Sequence, residues 1–149
     1  HDALPILEKN KDLFEFFKFM IDYRKKHPVI RKKLDNAVCG MEAMHAHDVN
    51  AERMEVPQNA KTLAVSFAGY DRKKGKDDLV YVAVNAYWEE VKITLPNLAN
   101  HGAWYLSVDT YGDEKGKYFY QEGEEIRIDR EYVMKPRSIV VFTGREILR

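Results

Sequence analysis

Apolar residues in the early part of the chain recur every three or four positions, whereas after residue 60 they alternate one by one. Leu13, Phe14, Phe17, Met20 and Ile21 share one face of a helix predicted over residues 10–27. Asp12 followed three residues on by Glu15 fits a capping box, in which the first side chain accepts from an early amide and the second reaches back. Arg24, Lys25 and Lys26 crowd the last turn, where unpaired carbonyls favour cations. Pro28 stops the helix because its ring disfavours the α conformation at His27. Phe16, Phe19 and Tyr23 widen the apolar face beyond one stripe, giving more aromatic area than a helix with a single buried side requires. Burying one such side chain is worth about 1.5–3 kcal/mol, so leaving Phe14, Phe17 and Met20 wet is costly. The helix is therefore expected to dock on the rest of the chain or to pair with a second copy.

The period-two segments are Leu63 to Phe67, Val80 to Val84, Val91 to Leu95, Trp104 to Val108, Ile126 to Ile128 and Ile139 to Phe142. Turn-forming stretches fall between them: Arg72 to Asp78 around Gly75, Pro96-Asn97, Gly112 to Gly116, and Gly123. Short β-branched runs at this spacing predict an antiparallel sandwich, each strand with one buried face and one wet face. Val80 to Val84 is nearly all apolar and reads as a central strand. Val38 to Met44 is expected to form an edge strand, with loop from there to Asn59. The fold class is thus mostly β, an antiparallel β-sandwich preceded by one long α-helix.

Composition narrows the function classes. The 149 residues suit one main domain. Lys plus Arg total 24 and Asp plus Glu total 24, and a zero formal charge argues against nucleic acid as partner, since neutralising phosphates needs excess positive charge. No apolar run approaches the ~18 residues of a membrane span. One cysteine, Cys39, excludes an internal disulfide framework, and a cytoplasmic setting is expected.

The candidate chemistry is sparse. Glu89 and Glu90 are adjacent and so point to opposite faces of a strand, while Asp77-Asp78, Asp113-Glu114 and Glu122 to Glu125 read as solvated turn charge. His45 and His47 alternate as metal ligands on a strand would, but His1, His27 and His101 are scattered and no third ligand completes a set, so no metal or cofactor is expected. Cys39 lacks a flanking motif, the serines lack a nucleophile elbow, and Lys73 to Lys76 lacks the spacing of a phosphate loop. No catalytic residue is assigned. The basic run Arg24 to Lys33 reads as a helix end and a solvated turn. Among the aromatic residues, Tyr87 and Trp88 are the candidate carbohydrate-binding pair, because pyranose faces are apolar and suit an aromatic platform. Trp104 reads as core, and Trp88, at a turn after a strand, admits either reading.

Two stretches carry a resemblance. Leu13 to Arg31, LFEFFKFMIDYRKKHPVIR, resembles the last barrel helix of the alpha-amylase superfamily of glycoside hydrolases, an apolar helix ending in Arg-Lys-x-His-Pro and a following Arg. Leu79 to Pro96, LVYVAVNAYWEEVKITLP, resembles the C-terminal sandwich of isoamylase-type debranching enzymes, most specifically at Asn85-Ala86-Tyr87-Trp88-Glu89. Trp104 to Thr110 and Lys135 to Phe142 are similar to that domain's closing strands. Gly40 to His45 departs from the family's His-Gly and tryptophan-rich stretch.

The resemblance implies that residues 1–33 hold the last helix of a (β/α)₈ barrel and residues 34–149 the terminal sandwich. The strand-end carboxylates of that barrel have no counterpart here. The chain is then expected to be a non-catalytic C-terminal fragment of a debranching hydrolase acting on alpha-1,6 branch points, of isoamylase or glycogen-debranching type before pullulanase type. Its expected partner is its own catalytic barrel, with a homodimer through the exposed helix and contact with α-glucan as further expectations. The alternative function is an α-glucan-binding module using surface aromatics.

Overall fold

The computed structural model describes residues 10–51, 56–98 and 102–146. Helix α1 spans Lys11–Lys26 and a single 3₁₀ turn follows at Pro28–Ile30. Asn10 holds the N-cap position without a side-chain capping bond, so the Asp12–Glu15 capping box does not form. Asp12 instead lies inside the first turn, where a carboxylate favours the positive end of the helix dipole, and Glu15 sits 3.9 Å from Lys18. The chain leaves the helix at His27, whose amide donates to the Tyr23 carbonyl at 3.0 Å.

Among the described residues eight strands follow: β1 (Met44–His47), β2 (Thr62–Asp71), β3 (Lys76–Asn85), β4 (Val91–Thr94), β5 (Gly102–Asp109), β6 (Ile126–Ile128), β7 (Glu131–Met134) and β8 (Ser138–Glu146). Six form one sheet in the order β1-β2-β3-β8-β5-β6, and β4 pairs with β7 in a second. Every pairing between these strands is antiparallel. The nearly all-apolar segment Val80 to Val84 lies in β3, in the middle of the large sheet, as its composition predicts.

The two faces of the large sheet have different covers. The inner face carries Ala64, Tyr81, Ala83, Trp104, Val140 and Phe142, and packs against Ile93, Leu95 and Met134 from the small sheet and its margin. Trp104 is buried there; it donates Nε1–H to the Pro96 carbonyl at 2.8 Å and lies over Gly144, its cross-strand neighbour. A Cβ at Gly144 would stand 3.1 Å from the Trp104 ring and 2.9 Å from Leu79 Cβ, so the bare backbone makes room for the indole. The outer face carries Phe67, Val80, Val82 and Val141, and α1 lies on it.

Three local expectations change. The edge strand is β1, Met44–His47, shifted from the expected Val38 to Met44. The Asp77 carboxylate captures the amides of Val38 and Cys39 at 2.8 and 2.9 Å, and Gly40 turns the chain at φ 84°, so residues 38–40 are a turn. Asp77 and Asp78 belong to β3, not to a solvated turn, and Asp78 is buried. β7 was not anticipated: Glu131-Tyr132-Val133-Met134 is short and follows β6 almost directly, leaving no turn signal to mark it.

Candidate functional site

Helix α1 docks through the face made by Phe16, Phe19 and Tyr23, not through the stripe the periodicity favoured. Phe19 and Tyr23 are buried against Val80, Val108 and Val141, while Phe16 stacks on Phe119 with ring centres 5.7 Å apart. Polar anchors explain the choice. The Tyr23 hydroxyl lies 2.7 Å from Thr143 Oγ1, which is 2.8 Å from Ser107 Oγ, so the buried phenol is satisfied and its pKa is pushed up by burial. Past the helix end, Asp78 accepts from His27 Nδ1 at 2.7 Å and from the Val29 amide at 3.0 Å. Each anchor pairs a group that the apolar stripe lacks.

Leu13, Phe14, Phe17 and Ile21 therefore stay exposed, by 50–60%. This overturns the expectation that they form the buried face; Met20 alone of that stripe is partly covered. The polar flank of α1 holds Asp22 and Lys26, and Lys26 reaches Glu122 at 3.6 Å. Leu13, Phe17 and Ile21 lie on the other flank of α1, and the outer face of the sheet continues past Val82 toward the β3–β4 turn. There Leu63, Val84 and Ile139 stand side by side across β2, β3 and β8, and all three are exposed. Met20 and Val82 are partly buried and pack against the cluster that α1 forms with the sheet.

A second surface lies at the turn between β3 and β4. Asn85 is buried and uses its whole amide on the turn: Nδ2 donates to the Glu89 and Lys135 carbonyls, and Oδ1 accepts from the Tyr87 amide. The Arg137 amide donates to the Tyr87 carbonyl at 3.0 Å. This framework pushes Trp88 outward, 63% exposed, with its ring 5.5 Å from that of Tyr87. Tyr87 is half-buried, with the Lys61 ammonium 3.9 Å above its ring centre. Periodicity gave no sign of Tyr111, Lys135 or Lys61 as neighbours of this corner, because only strand pairing brings these separate loops together.

The other candidates do structural work. His45 and His47 share a face of β1 with ring centres 5.7 Å apart. His47 is buried, donates Nδ1–H to the Asp48 carbonyl at 2.8 Å, and has its pKa lowered by burial. Among the described residues no group of three or more His, Cys, Asp or Glu side chains gathers as a metal site; His1 and His101 lie outside the described residues. Burial pushes the Cys39 thiol up, away from the thiolate a nucleophile needs. Glu89 and Glu90 are exposed, and Glu90 pairs with Lys135 at 2.6 Å. Among the described residues no helix is long and apolar enough to cross a membrane.

No curated protein matches the chain. A family model described as isoamylase, C-terminal, matches residues 37–143, which is more than half of the sequence. The matched span runs from the segment before β1 into β8, takes in the whole sandwich core, and leaves α1 outside. With that span and this mostly antiparallel architecture, the chain belongs to the isoamylase C-terminal domain family.

Proposed function

We propose that this chain is the non-catalytic C-terminal part of a debranching glycoside hydrolase, with α1 as the last helix of that enzyme's (β/α)₈ barrel. The parent would hydrolyse alpha-1,6 branch points with retention, using a nucleophile and an acid/base carboxylate supplied by the barrel. Isoamylase or glycogen-debranching type is preferred to pullulanase type, and a cytoplasmic setting is part of the proposal. The role of the domain is to cover and stabilise the barrel. One observation carries this reading: α1 has two apolar sides, one packed on the sandwich and one, with Leu13, Phe14, Phe17 and Ile21, left exposed. In the proposed enzyme the helix would bridge the sandwich and the barrel, which would account for its exposed apolar side.

The test is the reading frame upstream of His1 and the product it encodes. A barrel with strand-end carboxylates is expected there. Expressed separately, that barrel should bind this chain, and Phe17→Asp should abolish binding while leaving the chain folded. A stop codon immediately before His1, or a barrel that ignores the chain, overturns the proposal. Sedimentation equilibrium adds a second arm: a stable homodimer closed by Phe14 and Phe17 would make a second copy, not a barrel, the occupant of that surface.

A further inference from the structure

The corner at the β3–β4 turn differs in chemistry from the exposed apolar row on the outer face of the sheet. Leu63, Val84 and Ile139 have no charged partner interleaved among them, as suits a protein contact, whose centre is depleted in charge. At the corner, aromatic rings alternate with charged groups. Lys135 Nζ is 2.6 Å from Glu90 Oε1 and 5.9 Å from the ring centre of Tyr111, so it links the Trp88 turn to the loop that follows β5. Tyr111 is 60% exposed and Trp88 63%. The backbone turns that carry the two rings are braced by buried polar groups. Trp88 rides on the Asn85 amide network, and the Tyr111 amide donates to the buried Asp109 carboxylate at 3.0 Å, which Tyr132 also holds. Exposed aromatic rings on braced turns suit a ligand that is flat, extended and amphipathic.

We propose that Trp88 and Tyr111 form a surface binding site for an α-glucan chain, with Glu90 and Lys135 supplying hydrogen bonds to its hydroxyls. The apolar face of a glucose ring stacks on an indole or phenol, while a carboxylate and an ammonium at the ring edge accept from and donate to its hydroxyl groups. Tyr87, with Lys61 over its ring, buttresses the platform and is not itself the stacking surface. The choice of an α-glucan rests on the debranching reading above; the site itself rests on the geometry of the corner. Such a site would hold the enzyme on a branched polymer between cleavages.

The chain has two tryptophans and Trp104 is buried, so the emission that acrylamide can reach belongs to Trp88. Maltoheptaose should protect that emission, and the chain should be retarded in a native gel containing glycogen. Trp88→Ala and Tyr111→Ala should each weaken retardation by roughly tenfold or abolish it, whereas Trp88→Phe should retain part of it. Unchanged quenching and mobility with maltoheptaose, glycogen and cello-oligosaccharides alike would overturn the site and leave the debranching reading standing. Protection by cello-oligosaccharides but not by maltoheptaose would overturn the α-glucan assignment and count against the debranching reading too. Retardation that survives both alanine substitutions would move any glucan contact elsewhere on the chain and overturn this site.

Discussion

The outer face of the six-stranded sheet has a covered half and a bare half, built from the same strands and the same kind of residue. Val80 and Val141 are at most 6% exposed under α1, while Val84 and Ile139, further along the same strands, are 37% and 42% exposed. Nothing in β3 or β8 marks the boundary, since β-branched residues continue across it. The difference comes from the helix laid on top, which is sixteen residues long and covers only what it crosses. On the reading proposed above, the bare half is where the barrel of the parent enzyme would lie. The same division runs around α1 itself, with Phe19 and Tyr23 on the covered side and Phe14 and Phe17 on the bare one.

The sharpest way to break this comparison is to truncate one residue from each side of the helix. Phe19→Ala should cost about 3–5 kcal/mol, because it empties a packed site against Phe119 and Tyr23. Phe17→Ala, on a side chain that is 60% exposed, should stay within about 0.5 kcal/mol. Urea unfolding of the two variants gives both numbers. Equal losses would mean that the two sides of the helix are not distinct in solution.

Tyr23→Phe sharpens the account of why the covered side is the covered one. The ring stays, and only the hydroxyl that meets Thr143 is lost. Thr143 keeps its bond to Ser107, so the expected cost is about 1 kcal/mol, read from the same urea titrations. A neutral outcome would leave aromatic packing alone to orient the helix.

Much of the architecture was legible in the sequence. Alternation located β2, β3, β4, β5, β6 and β8, because strands with one face on a core repeat every two residues. Helix α1 was found within one residue at each end, since Pro28 and the basic last turn mark its close. The face it buries was not legible. On a helix that is apolar over most of its circumference, periodicity ranks faces by hydrophobicity, whereas the docked face also carries polar matches and aromatic partners that periodicity does not register. Tyr23 with Thr143, and His27 with Asp78, are long-range pairs with no local signature. The strand β1 was displaced for a similar reason, since the Asp77 carboxylate that fixes residues 38 and 39 as a turn comes from a distant hairpin. Of the candidate site, Trp88 and Tyr87 were visible as a pair in a turn. Tyr111 was not, because Lys135 connects it to that turn only after β5 and β8 have paired.

The smallest expected effect tests the bare half directly. Ile139→Thr keeps the branched shape at Cβ and the strand preference, replacing apolar surface with a hydroxyl that water can reach. In this chain the side chain is 42% exposed and its neighbour Val84 is also exposed, so the change in unfolding free energy should lie within about 0.5 kcal/mol. In a complex with the barrel the same substitution would place that hydroxyl inside an apolar contact, where an unpaired polar group costs about 1–3 kcal/mol. The informative quantity is therefore the difference between the two measurements, urea unfolding of the chain alone and affinity of the chain for the barrel. A substitution silent in the first and costly in the second would identify Ile139 as part of the cover's footprint. One silent in both would confine the contact to the flank of α1 and leave the sheet floor open to solvent in the whole enzyme.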